Sequence, residues 1–252
     1  MAKGKAGKIF VGVGGWNFAP WRGSFYPKGL TQARELHHMS REVTSIEINS
    51  TFYGLQKPAT FKKWHDDTPD GFVFSVKAPR FVTHRKTLVS GASSVERFLG
   101  SGILQLRDKL GAINWQLAPE KQFDAADLAE FLALLPRQVE GRKLRHALEA
   151  RHESFDCEEF LTVARKHEVA VVEAGDSEYP RIAARTAPFS YLRVMGTKAS
   201  APTGYTPAGL ARWRERAQAL AHDGDVFLYF ISGAKERNPH AARALIANLA
   251  PG

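Results

Sequence analysis

Short apolar runs with a period-two alternation of polar residues recur along this chain, and each is followed by residues at helical spacing. The runs predict strands over residues 9–13, 44–49, 72–77, 112–117, 145–151, 169–174, 190–195 and 225–231. Helices are predicted over 31–41, 58–67 and 94–110, then around Phe131, Phe160, Trp213 and Leu245, each flanked by apolar residues in register. The segment from Gly175 to Pro188 holds Pro180 and Pro188 and only a weak helical pattern, so the connection after the sixth strand is expected to be irregular.

Strand and helix alternating eight times implies parallel pairing, because each crossover must return the chain to the same end of the sheet. A chain of 252 residues has the size of a closed (β/α)8 barrel. The expected fold is therefore α/β, a TIM-type barrel forming a single domain over residues 1–252, with residues 1–8 as a basic, flexible tail. An open doubly wound sheet competes, but it would leave two edges to protect. The turn Gly12-Val13-Gly14-Gly15-Trp16 continues with Asn17 where a dinucleotide fingerprint needs its third glycine, so no nucleotide cofactor is read there.

Several strands carry polar residues on the face opposite their apolar one. Ile46 and Ile48 share one side of the second strand while Glu47 and Asn49 share the other. The same alternation sets Ser75 and Lys77 against Phe74 and Val76, Asn114 and Gln116 against Ile113 and Trp115, and Glu149 with Arg151 on one face of the fifth strand. Tyr191, Arg193 and Met195 share a face of the seventh, and Asp176 follows the sixth. All of these fall near the C-terminal ends of their strands, where barrels of this kind place active sites. Convergence from six elements favours one shared polar site, since buried unpaired charge is costly. The loop with Trp16, Trp21, Phe25 and Tyr26 is expected to be a lid over that site or a plug over a barrel end.

Composition adds three constraints. A lone cysteine, Cys157, excludes an intrachain disulfide framework and fits a reducing compartment. The basic N-terminus runs directly into Ile9-Phe10-Val11, so neither a signal peptide nor a membrane anchor is read there, and a cytoplasmic protein without membrane contact is expected. The net charge of +9 draws phosphate-rich partners, nucleic acid among them, although the basic residues are scattered. Nothing in the pattern sets an oligomeric state.

Four motifs resemble the successive signatures of the YecE-like family, the domain of unknown function numbered seventy-two. They are Gly12-Val13-Gly14-Gly15-Trp16, Trp21-Arg22-Gly23-Ser24-Phe25-Tyr26-Pro27, Glu47-Ile48-Asn49-Ser50-Thr51-Phe52-Tyr53 and Phe74-Ser75-Val76-Lys77. Glu149-Ala150-Arg151-His152 is similar to the family's glutamate-arginine-histidine segment on the fifth strand. The resemblance covers nearly the whole chain and implies a TIM barrel, but it supplies no reaction. The chain departs from the family's usual pattern at Val194-Met195-Gly196, where a histidine is usual, and at Ile231-Ser232, where an asparagine pair is usual.

The residues support an enzyme acting on an anionic substrate, a phosphate-bearing sugar or nucleic acid, by hydrolysis or lyase chemistry. Glu47, Lys77 and Glu149 are the catalytic candidates, the carboxylates as proton-transfer groups. Trp16, Asn49, Tyr53, Arg80, Gln116, Arg151, His152, Asp176 and Arg193 are the ligand-binding candidates, with the arginines as charge-assisted donors. A divalent magnesium or manganese ion on Glu47, Glu149, His152 and Asp176 is a second version. A two-carboxylate glycosidase is weaker, because the carboxylate separation decides that mechanism. Lys77 as a Schiff-base amine is also open, though two neighbouring carboxylates are expected to keep it protonated. The contrasting class is a non-catalytic module that holds nucleic acid or another anion, stacking it on Trp16, Trp21 or Tyr53.

Overall fold

The computed structural model describes residues 6–250. Eight parallel strands close into a barrel in the order β1-β8-β7-β6-β5-β4-β3-β2. These are β1 (Ile9–Gly14), β2 (Ser45–Ile48), β3 (Val73–Lys77), β4 (Leu110–Gln116), β5 (Arg145–Glu149), β6 (Ala170–Gly175), β7 (Phe189–Val194) and β8 (Asp225–Phe230). Seven helices of two turns or more surround them: α1 (Glu35–Glu42), α2 (Pro58–Asp67), α3 (Ala92–Leu99), α4 (Ala125–Ala133), α5 (Glu158–His167), α6 (Pro207–Ala221) and α7 (Asn238–Leu249). Two of them start on side-chain caps: Asp124 accepts from the amides of Ala126 and Asp127, and Thr206 accepts from Gly209 with Pro207 as the first helical residue.

The alternation along each strand separates two apolar regions. Outward residues such as Ile46, Ile48, Phe74, Val76, Trp115, Leu192 and Leu228 pack against the helices. Inward residues form a separate cluster at the barrel floor, in which Ala112, Ala147 and Ala170 leave room for Phe10, Phe189 and Phe227 from the other side. Phe10 stacks on Phe227 with centroids 5.1 Å apart, and Phe189 meets Phe227 edge-on at 5.9 Å. Small side chains on three strands thus complement aromatic ones on three others. One step higher, the Tyr229 hydroxyl bonds Ser45 Oγ at 2.7 Å and Ser75 Oγ at 2.8 Å. The interior therefore passes from apolar to polar toward the C-terminal ends of the strands.

Some boundaries differ from those read in the chain. The helix expected over 94–110 stops at Leu99, because Gly102 takes φ +106° and the chain continues as a 3-10 segment over Ile103–Lys109. No helix joins β6 to β7, as the prolines of that segment predict. A small hairpin, Gln138–Val139 with Arg142–Lys143, was not anticipated. Of the basic tail, residues 1–5 lie outside the described residues, while Gly7 and Lys8 are bonded at the barrel floor: Gly7 N to Ala221 O at 2.7 Å, Lys8 N to Asp225 Oδ1 at 2.9 Å. Among the described residues no helix is long and apolar enough to cross a membrane.

Candidate functional site

The polar layer above Tyr229 is built on Arg193, which leaves β7 and spans the barrel interior. Its Nη2 donates to Glu47 Oε1 at 3.0 Å and its Nη1 to Glu149 Oε2 at 2.6 Å, with all three side chains shielded from solvent. Tyr191, two residues earlier on the same inward face, donates to Glu47 Oε2 at 2.6 Å. Asn114 Nδ2 lies between the two carboxylates, 3.3 Å from Glu47 and 3.4 Å from Glu149. Arg151, just past β5, donates to Glu149 Oε1 and Gln116 Oε1, both at 2.8 Å, and stands 4.2 Å from the Tyr179 ring. Each carboxylate oxygen of Glu47 and Glu149 therefore has a donor.

Electrostatics follow from these pairings. Burial alone raises the Glu149 carboxyl, but Arg193, Arg151 and Lys77 outweigh it and hold it below its ordinary value. Burial opposes the Arg193 charge, and Glu149 and Glu47 overcome it, so the guanidinium stays protonated. Burial, reinforced by Glu47, drives the Tyr191 hydroxyl well above its normal range and keeps it a proton donor.

Lys77 is different. It ends β3 on the inward face, and its Nζ makes no hydrogen bond or ion pair with any described residue. That nitrogen sits 3.8 Å over the ring of Phe52, facing the cavity at the barrel mouth. Burial and the nearby Arg193 lower its pKa from 10.5 to about 8, with Glu47 and Glu149 opposing them only in part. Those carboxylates do favour the ammonium, as expected, but burial and Arg193 outweigh them, since Arg193 and Arg151 already pair with both.

The mouth opens as a cavity of about 1170 Å³, larger than the range usual for a drug-sized ligand. Trp16, Asn49, Tyr53, Lys77, Gln116, Arg151 and Arg193 of the predicted set line it. Gly14 is what lets Asn49 in, since a Cβ there would lie 2.5 Å from Asn49 Nδ2. Glu47 and Glu149 sit beneath the cavity floor and do not line it. The aromatic loop splits its roles: Trp21 and Tyr26 are buried, bonding Lys235 O at 2.9 Å and Trp16 O at 2.7 Å, while Trp16 and Phe18 face the cavity.

Three predicted site residues stand elsewhere. Asp176 adopts φ +51°, which breaks the strand alternation and turns its carboxylate outward to Arg212, Trp213 and Tyr205 on and before α6. Gly175 beside it gives the Trp213 ring its place, as a Cβ there would lie 2.1 Å from that ring. His152 accepts from the Ser154 amide at 3.2 Å and so caps a 3-10 turn. Arg80 lies at the outer rim, 5.9 Å from the Tyr53 ring. The proposed metal set of Glu47, Glu149, His152 and Asp176 is thereby dispersed, and among the described residues no group of three or more His, Cys, Asp or Glu is arranged to hold a metal ion.

Other lining residues were not singled out from the sequence. Phe52 and His84 meet edge-on at 5.3 Å beside Lys77, and burial together with Lys77 and Arg151 lowers the His84 pKa. Tyr191 and Asn114 lie in the buried polar layer beneath the cavity, on the strand faces they share with Arg193 and Gln116. His84 and Tyr179 lie in loops, where no periodicity marks them.

A family model described as protein of unknown function DUF72 matches residues 10–252. The chain is similar to the UPF0759 protein YecE of Escherichia coli (strain K12), 28% identical over 148 residues that cover 58% of this chain and 50% of that protein. It is also similar to the UPF0759 protein YunF of Bacillus subtilis (strain 168), 30% identical over 91 residues, or 36% of this chain and 31% of that protein. The match thus spans half or less of these curated relatives. Among solved structures, a DUF72 family protein of Thermotoga maritima MSB8 superposes with a TM-score of 0.74 at 23% identity, covering 96% of this chain and 98% of that one. A psychrophilic glycoside hydrolase family 10 endo-β-1,4-xylanase gives 0.53 at 8% identity, covering 97% and 98%. At these identities the likeness to solved structures shows the fold alone.

Proposed function

The chain belongs to the DUF72 family of proteins of unknown function, and we propose that it is an enzyme acting on an anionic, phosphate-bearing substrate at the C-terminal mouth of its barrel. The observation that carries this reading is Lys77 Nζ, a cavity-facing amine with no polar partner among the described residues and a pKa brought down to about 8. A group whose proton is poised near working pH suits proton transfer or nucleophilic attack. Lys63, Arg151 and Lys235 line the same cavity and favour an anion, with Asp67 the one carboxylate among the described residues that line it. In this reading Glu47 and Glu149 hold Arg193 and Arg151 in place, and the proton-transfer role expected of them passes to Lys77. The size of the cavity admits either a phosphorylated sugar or a short piece of nucleic acid.

Turnover of phosphate-bearing sugars and short oligonucleotides, compared between the wild type and Lys77→Met, tests the reading. Activity lost in the variant supports it, and activity retained there removes it. A second reading, a module that binds nucleic acid without turnover, is favoured by Tyr53, which is 73% exposed at the rim beside Arg80. Steeply salt-dependent oligonucleotide binding with no product would establish that one.

A further inference from the structure

We propose that Lys77 forms an imine with the carbonyl group of a small phosphate-bearing aldehyde or ketone. The inference rests on reading the mouth as an active site, and it names the substrate class and the covalent step.

Two geometric facts separate Lys77 from an ordinary barrel lysine. First, the carboxylates that would pair with it are already engaged: Glu149 by Arg193 and Arg151, Glu47 by Arg193 and Tyr191. Second, the nitrogen lies over an aromatic face, 3.8 Å from the centre of the buried Phe52 ring, and opens into the cavity. Cation–π attraction favours the ammonium, yet it is weaker than the ion pairs these carboxylates would have supplied, and it leaves the lone-pair direction free after deprotonation. A buried lysine with such surroundings is the kind that gives up its proton and serves as an amine.

The groups that face Lys77 set its protonation from every side. Arg193 on β7 and Arg151 after β5 oppose its charge, Glu47 on β2 and Glu149 on β5 favour it, and burial opposes it most. His84, from the loop after β3, packs on the same Phe52 ring and is itself held toward its neutral form. At pH 7 the shift from 10.5 to about 8 gives about 300-fold more neutral amine than an unperturbed lysine has.

The step balances without a further reactant. The ammonium passes one proton to His84 or water, and the Nζ lone pair bonds to the carbonyl carbon as the C=O π pair moves to oxygen. A nitrogen proton moves to that oxygen, giving a neutral carbinolamine. The proton held by His84 or water then returns to the hydroxyl, which departs as water while the nitrogen lone pair closes the protonated C=N bond. That cation draws electrons from the adjacent carbon, so a neighbouring C–H or C–C bond is weakened, which is lyase chemistry. Arg151 and Lys235, which line the same cavity, supply charge for the phosphate.

Borohydride trapping tests the proposal on the full chain. The protein is incubated with glyceraldehyde 3-phosphate, or with glyceraldehyde as the phosphate-free control, reduced with sodium borohydride and mapped by peptide mass spectrometry. The expected result is a reduced adduct on Lys77 at about tenfold or more the level on exposed lysines such as Lys28 and Lys166, given its larger neutral fraction. It should form more readily with the phosphate-bearing probe and be lost in Lys77→Met. Labelling of Lys77 no greater than that of exposed lysines overturns the imine, and equal labelling by both probes overturns the phosphate requirement. If Lys77 is not labelled while Lys77→Met still abolishes turnover of a phosphoester, the imine falls and the anionic-substrate enzyme stands. Absence of both effects removes both.

Discussion

Arg193 Nη2 meets Glu47 Oε1 at 3.0 Å across the barrel interior, joining β7 to β2, strands that share no edge of the sheet. With Glu149 at 2.6 Å on its other arm, the guanidinium ties together three strands in a region without solvent. Replacing such a pair by well-packed apolar residues is often neutral, but removing one member alone leaves buried charge behind. Arg193→Met leaves the buried Glu47 without a cation and Glu149 with Arg151 alone, and is expected to cost about 3–5 kcal/mol of stability at neutral pH. Thermal or urea unfolding checks this. Because protonation removes the uncompensated buried charge, the deficit should shrink as the pH is lowered through the carboxylate range.

Lys77→Met should do the opposite and stabilise the fold. The folded pKa of about 8 lies below the ordinary 10.5, so between these values the unfolded chain binds more protons, and stability rises with pH across that window. Below about pH 8 the full penalty is present, of order 3 kcal/mol for a shift of this size. Methionine fills a similar volume without a charge. The variant should exceed the wild type in stability at pH 7, and the two should converge above about pH 10. Unfolding midpoints measured at both pH values check it, and a variant less stable at pH 7 would contradict the lowered pKa. A residue that costs stability and is kept open to a cavity fits a functional role better than a structural one.

The barrel was legible because its two packing environments leave opposite marks on each strand. Ile46 and Ile48 against Glu47, or Phe74 and Val76 against Ser75 and Lys77, show which side faces the helices and which faces the interior. Positions of Glu47, Gln116, Glu149, Arg151 and Arg193 in one network follow from that alternation once the barrel closes. Their pairings were not legible, since Arg193 and Glu47 are 146 residues apart and meet only through closure. Proximity alone suggests that the glutamates favour the Lys77 ammonium, which they do, but burial, which no periodicity measures, and Arg193 outweigh them. Asp176 was misplaced because alternation assumes extended backbone, and at φ +51° the side chain leaves the strand's inward row. His84 and Tyr179 sit in loops whose course no periodicity encodes.

Asp176 therefore separates position in sequence from position in the site. Its carboxylate receives Arg212 at 2.9 Å, Tyr205 at 3.0 Å and Trp213 at 3.1 Å, anchoring α6 to the end of β6. Asp176→Asn should lower stability modestly, by about 1 kcal/mol, as a charge-assisted bond becomes a neutral one. Lys77 labelling by a carbonyl probe should not change. Loss of that labelling with the fold intact would return Asp176 to the site.

Glu47→Gln distinguishes a carboxylate that transfers protons from one that positions other groups. Glu47 has a donor on each oxygen, is shielded from solvent and lies outside the cavity lining, so its reach to a substrate is blocked. Its negative charge does act on Lys77, raising that amine's pKa against the larger effect of burial. Removing the charge should lower the Lys77 pKa further, to below about 8. The rate at which an amine-reactive acylating reagent modifies Lys77 rises with pH through its pKa, and that rise should move to lower pH in the variant. Turnover, where a substrate is found, should show the same displaced limb with kcat reduced through the loosened Arg193. A proton-transferring Glu47 predicts instead that the acid limb of turnover disappears, while the Lys77 modification profile moves under either role. The acylation profile needs no substrate, so it measures the hold of Glu47 on the Lys77 proton before the reaction is known, and the turnover limb then decides its role.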